Sequence, residues 1–338
     1  MTRRFKFLTH MLRVLAGMLV LTATAILFII VLFYRGENVR TLAAPALMFC
    51  LCGLIPLVIQ RLRRRAQRPA NRGRLVPWLT PLALKLSRLG GRCSPGAAQM
   101  LYDTGVFLSD QCRYREACGK LREAADLFEE LDERQNRALA LIELGNCHNA
   151  AGNHAEAVAV LQQALGVWEK LAHRQREDNT WRLFNNLGVA LTELGELQDA
   201  EGYCRRALQT CLVRREAGDP EAAMCLLNLA DVHRRQRRFL EAEEALSQSL
   251  EILDRTKDGN FAFGVSLLAM LHDDQDRLRE AEELYRQARE LLESQLGPRH
   301  VEVAKVLECH GAMLERGGRE NDGAKLRARA ASIFETIR

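Results

Sequence analysis

The chain has 338 residues, of which 48% are apolar, 27% charged and 6% aromatic, with ten cysteines and a formal charge of +5. That is room for one or two folded units with a sizeable core, and it excludes a disulfide miniprotein, a disordered tail and a collagen. Residues 1–75 hold thirteen Lys or Arg against one acid, Glu37, so the N-terminus carries +12 and the remainder −7.

The first elements in chain order are two uncharged runs, 21 residues over 14–34 and 20 residues over 41–60. Each has the length that an α-helix needs to cross about 30 Å of hydrocarbon. Both read as transmembrane helices, joined by Arg35 to Arg40, a connection short enough to demand a hairpin. Arg3, Arg4, Lys6 and Arg13 precede the first run, and Arg61, Arg63, Arg64, Arg65, Arg68, Arg72 and Arg74 follow the second. The positive-inside rule then puts both termini in the cytoplasm. An excess of 41 arginines over 7 lysines suggests a bacterial inner membrane. Two alternatives stand beside this reading. Ala23-Thr24-Ala25 resembles a signal cleavage site, although the apolar run continues to Tyr34. Pro45 and Pro56 weaken the second run, which as a half-inserted segment would reverse the topology.

The arginine-rich stretch 61–74 reads as a topology anchor that attracts anionic headgroups, in preference to a nucleic-acid arm. Residues 1–74 are therefore expected to be a membrane anchor. Residues 75–97, with Trp78 near Pro77 and Pro81, are expected to form an interfacial or linker segment that ends at the Ser94-Pro95-Gly96 turn.

From residue 98 to 338 the sequence repeats. A small residue recurs at Gly105, Gly145, Gly188, Ala230, Ala269 and Gly311, advancing by 40, 43, 42, 39 and 42 positions. Twelve residues after each stands Ala117, Ala157, Ala200, Ala242, Ala281 or Gly323, and seven further on Ala124, Ala164, Ala207, Ser249, Ala288 or Ala330. Between these lie the bulky Leu121, Leu161, Cys204, Leu246 and Tyr285. Such spacing predicts paired amphipathic helices, with small side chains where the two axes cross closely. Pro220 and Pro298 fall between copies, and no β-branched run bounded by turns appears, so the fold class is all-α.

The pattern resembles the tetratricopeptide repeat (TPR) family, in its kinesin-light-chain-like subclass with period near 42. The resemblance implies a right-handed TPR α-solenoid of about six helix pairs, serving as an interaction scaffold. It also implies a concave groove lined by the first helix of each pair. The family's groove positions fall here on Asn146, Asn149, Asn185, Val189, Thr192, Glu193, Asp231, Arg234, Arg235, Met270, Asp273 and Asp274. Amides and both charges in such a row suit an extended or helical peptide. The sixth copy departs from the pattern at Gly323, and its Lys325, Arg327 and Arg329 suit a terminal cap.

No chemistry-bearing motif accompanies the repeats. His148, His233 and His272 share one repeat position, lie too far apart to ligate one metal, and read as packing residues. Cys50 and Cys52 lie in the second apolar run. The other cysteines, among them Cys112, Cys118, Cys147, Cys211 and Cys225, form no C-x-x-C pair and read as small apolar residues in a reducing compartment. The acidic run Asp273-Asp274-Gln275-Asp276 lacks calcium-loop spacing and reads as a solvated turn. No catalytic residue, metal site or cofactor is expected, and the −7 balance of the repeats disfavours nucleic acid. The expected function is a membrane-anchored adaptor that recruits a protein or peptide partner. The alternative is a structural subunit of an envelope assembly that homo-oligomerises through its spans and repeats.

Overall fold

A computed structural model describes residues 95–171, 179–214 and 219–337. The two apolar runs predicted to span the membrane lie outside the described residues. Among the described residues no helix is long and apolar enough to cross a membrane. The chain divides into two compact units, Met1–Val76 and Pro77–Arg338, and every described residue belongs to the second.

Twelve helices, and no strand, are found among the described residues. They form six pairs: α1 (Pro95–Asp110) with α2 (Tyr114–Glu130), α3 (Arg134–Ala150) with α4 (His154–Trp168), and α5 (Thr180–Leu194) with α6 (Leu197–Arg214). Then come α7 (Pro220–Arg235) with α8 (Phe239–Thr256), α9 (Phe261–Asp274) with α10 (Leu278–Leu296), and α11 (Val301–Arg316) with α12 (Glu320–Ile337). Pro95 belongs to the first turn of α1, so the expected boundary turn gives its proline to a helix. Pro220 likewise opens α7, where Asp219 caps by accepting from the Glu221 amide at 3.0 Å. Every second helix has an acid in its first turn, where the helix dipole favours it.

The recurring small residue sets how close the helices come. A Cβ on Gly105 would stand 2.5 Å from Leu121 Cγ, on Gly145 2.4 Å from Leu161 Cγ, and on Gly188 2.4 Å from Cys204 Sγ. These are the small and bulky positions of the repeat pattern, here found in contact, and Leu121, Leu161 and Cys204 are fully buried. Seven residues beyond each small residue, the turn inside the pair holds one residue at positive φ: Cys112, Gly152, Gly195, Arg237, Asp276 and Gly318. Three of the six turns place a residue other than glycine there, since one left-handed residue in a tight turn costs only about 1–2 kcal/mol.

Each second helix packs against the first helix of the next pair, and successive first helices also touch. The first helices therefore form the inner layer of the stack. A side-chain contact also links the first pair to the last. Cys112, in the turn of the first pair, has its sulfur 3.6 Å from Nε2 of His300, which caps α11 in the last pair. The Tyr114 hydroxyl, pushed up by burial and by Cys112, also feels the charge of Glu302.

Buried polar groups join the layers. Glu201 on α6, 5% exposed, accepts from Gln236 Nε2 at 3.0 Å and Arg238 Nη1 at 2.8 Å across the junction with α7. Burial works against its charge, yet these hydrogen bonds and the Arg205 and Arg238 guanidiniums prevail and hold the carboxyl at about 2. His272 and His310 are held below the ordinary histidine value of 6.5, chiefly by burial. Histidines lowered in the folded state bind protons more readily once unfolded, so their stabilisation is complete above pH 6.5 and lost as pH falls below it. The Glu201 contribution persists to pH 4.5 and fades below that toward 2. Melting temperatures taken between pH about 8 and about 4 should hold level, then decline from near 6.5 and more steeply beneath 4.5. A maximum at acidic pH would contradict this.

Candidate interaction groove

The twelve groove residues lie on α3, α5, α7 and α9, all inner-layer helices. They do not form a uniform solvated row. Asn185, Thr192, Arg234 and Asp273 are each less than a tenth exposed. Asn185 accepts from Asn228 of the next pair at 2.8 Å, and the Thr192 hydroxyl donates back to the Gly188 carbonyl at 2.7 Å. Asn149 donates to the Asn186 carbonyl of the next pair at 2.9 Å. Asn149, Asn185 and Asn228 thus join neighbouring repeats, whereas the Thr192 bond lies within its own helix.

The charges form a continuous lattice. Arg235 reaches back to Glu193 at 2.5 Å and to Asp231 at 3.0 Å. Arg234 pairs with Asp231 at 2.7 Å and, one repeat onward, with Asp274. Asp273 accepts from Arg316 of the last pair at 2.5 Å and from the Tyr285 hydroxyl at 3.5 Å. Burial disfavours the Arg234 cation, but Asp231 and Asp274 outweigh it and raise its pKa. The acidic run therefore corrects one expectation. Asp273 and Asp274 are lattice members, and only Asp276 is an exposed turn residue. The reason is that the end of each first helix faces the end of the next, so opposite charges there satisfy one another. The signal was present in sequence: acid at Glu193, base at Arg234 and Arg235, acid at Asp273 and Asp274, and base at Arg316, about one repeat apart.

Asn146, Val189, Asp231 and Met270 stand one residue after the small residue of successive repeats, in one register along the inner layer. Asn146 is exposed, and the other three are half-buried. Asp231 is held in the lattice by Arg234 and Arg235, so the row offers an amide and two apolar side chains beside it.

The histidines His148, His233 and His272 are buried at 6–8% exposure, as packing residues would be. Among the described residues no group of three or more metal-ligating side chains converges. The thiols, however, are not scattered. Cys118 and Cys147 have sulfurs 3.2 Å apart, and Cys211 and Cys225 lie 3.9 Å apart. Their sequence separations carry no motif, because each pair joins different repeats and only the stacking register brings its members together.

Stacked antiparallel helix pairs, each locked to the next by packing and by an inner polar lattice, define an α-solenoid of the repeat-scaffold class. Tetratricopeptide repeat models match residues 96–170, 180–255 and 266–302, together more than half of the chain. The chain belongs to the tetratricopeptide repeat family. Among curated relatives, tetratricopeptide repeat protein 19, mitochondrial, of Rattus norvegicus is 28% identical over 148 residues, covering 41% of this chain and 39% of that protein. The chain thus spans about two-fifths of that relative's length. Among solved structures, the Rap conjugation gene regulator of the plasmid pLS20 has a TM-score of 0.57 at 18% identity, covering 71% of this chain and 62% of that one. A putative kinesin light chain of Podosopora anserina gives 0.41 at 19% identity, over 60% of this chain and 97% of that one. These likenesses are of fold.

Proposed function

We propose that the protein is a membrane-anchored adaptor whose inner-layer row binds an extended segment of a protein or peptide partner. The observation that carries this is the single register of Asn146, Val189 and Met270, with Asp231 at the same register held in the lattice that keeps the repeats at fixed spacing. A preformed surface loses little entropy on binding, and side chains one repeat apart sample successive parts of an extended ligand. The pLS20 Rap regulator, which shares the fold, was solved in complex with the Phr* peptide, and that supports a peptide-sized occupant. The anchor in this reading is the pair of uncharged runs 14–34 and 41–60, with Arg61, Arg63, Arg64 and Arg65 at the cytoplasmic surface. It rests on their length and flanking charge alone.

A photocrosslinking residue placed singly at Asn146, Val189 or Met270 of the full chain in cells should capture one common partner. The same residue at Leu240, 81% exposed on α8, should not. Equal capture from Leu240, or none from the three inner positions, would remove the groove from the account. Orientation is tested separately. In right-side-out membrane vesicles the repeats should resist added protease until the membrane is permeabilised, and cleavage in sealed vesicles would reverse the topology.

A further inference from the structure

Cys118 lies on α2 of the first pair and Cys147 on α3 of the second. Their sulfurs are 3.2 Å apart, and a disulfide requires about 2.05 Å. Closing that gap takes a movement of about 1 Å, within reach of side-chain rotation between two packed helices. The two thiols differ in access. Cys147 is fully buried and donates to the Tyr114 carbonyl at 3.3 Å, whereas Cys118 is partly exposed. The buried His148 adjoins Cys118, and Arg122 adds positive charge nearby.

We propose that Cys118 and Cys147 form a reversible oxidation site, in which Cys118 is oxidised first by hydrogen peroxide and Cys147 resolves the product into an inter-repeat disulfide. In the first step the Cys118 thiolate attacks one peroxide oxygen. The S–O bond forms as the O–O bond breaks, peroxide is reduced to water with uptake of a proton, and Cys118 becomes a sulfenic acid. In the second, the Cys147 sulfur attacks the Cys118 sulfur, the S–S bond forms as the S–O bond breaks, and the second water leaves with the Cys147 proton. Overall two thiols lose two hydrogens and one peroxide becomes two waters. A small dithiol reverses the product by exchange.

The local chemistry favours that order. The neighbouring Cys147 sulfur, with His148 and Arg122 adding to it, lowers the Cys118 thiol to about 5, despite the opposing effect of burial. Cys147 is pushed up by the same neighbour and by burial, so it stays protonated until the sulfenic acid presents itself. The second pair supplies the contrast. Cys211 and Cys225 are both buried and 3.9 Å apart, and the Cys225 thiol is raised by Cys211 and by its own burial. Both thiols of that pair are buried, so neither meets a peroxide from solvent as Cys118 does.

The test uses the full chain in detergent, reduced and then exposed to graded hydrogen peroxide. Free thiols are blocked with a maleimide before digestion and mass spectrometry. The expected product is one pair of peptides joined through Cys118 and Cys147, lost on treatment with dithiothreitol, while Cys211 and Cys225 remain blocked by the maleimide. Cys147→Ser should instead accumulate a sulfenic acid on Cys118 that dimedone traps, and Cys118→Ser should abolish both products. Circular dichroism of each variant checks that the fold is kept. Two results would overturn the proposal: wild-type Cys118 and Cys147 that both stay open to maleimide under peroxide, or disulfides spread without preference over the other cysteines.

Discussion

Gly323→Ala is expected to destabilise the last helix pair by about 2 kcal/mol, although it restores the residue that the other five repeats carry. At this pair both small positions are glycine. A Cβ on Gly323 would stand 2.5 Å from the Gly311 carbonyl oxygen and 2.6 Å from Glu315 Cγ, and a Cβ on Gly311 2.8 Å from the Gly323 carbonyl. The clash is with backbone, which cannot rotate away. Overpacking of this kind costs about 1–3 kcal/mol and more where backbone must shift, against a helix-propensity gain of about 1 kcal/mol. The Arg327 stem lies over Gly311 where other repeats place a buried bulky residue, and its guanidinium reaches Glu308 and Glu315. This pair has no successor to pack on, so the loss should appear as faster amide exchange in α11 and α12, with the first pairs little changed. Gly202→Ala is the control. Gly202 sits inside α6 with open space around it, and the same substitution there should stabilise by about 0.5–1 kcal/mol. Equal effects at the two sites would refute the close-approach account.

Arg234→Ala is expected to cost about 2–4 kcal/mol and to loosen the junction of α7 with α9. The guanidinium is 10% exposed between Asp231 and Asp274, and its removal leaves two carboxylates facing each other across the repeat boundary. Solvent reaches Asp274, whose side chain is 36% exposed, which keeps the cost below that of a wholly buried pair. Arg235→Ala, at a side chain 30% exposed, should cost about 1 kcal/mol or less. Urea denaturation combined with amide exchange at α7 and α9 distinguishes the two, and a silent Arg234→Ala would show that the lattice is ornamental. A partner lost on Arg234→Ala would thus report a damaged scaffold, whereas one lost on Asn146→Ala would report contact.

The helix pairs were legible because small residues at a fixed register are a geometric demand, and Gly105, Gly145 and Gly188 do stand at close helix crossings, against Leu121, Leu161 and Cys204. The groove was less so. A polar residue on an inner helix reads alike whether it faces a ligand or the next repeat. Asn149, Asn185 and Arg234 turned out to face the next repeat. Charge alternation at one repeat spacing was the available clue, and it becomes visible only when the repeats are aligned with one another. The thiol pairs left no trace in spacing, since 29 and 14 residues separate their members.

The contact of Cys112 with His300 bears on how such a chain can change length. An open stack tolerates the gain or loss of a unit at little cost, since each unit meets only its neighbours. Here the Cys112 sulfur in the turn of the first pair meets His300 at the start of the last, so inserting or removing an internal pair would carry His300 away from Cys112. A change of repeat number would therefore cost this chain a contact that an open stack never makes.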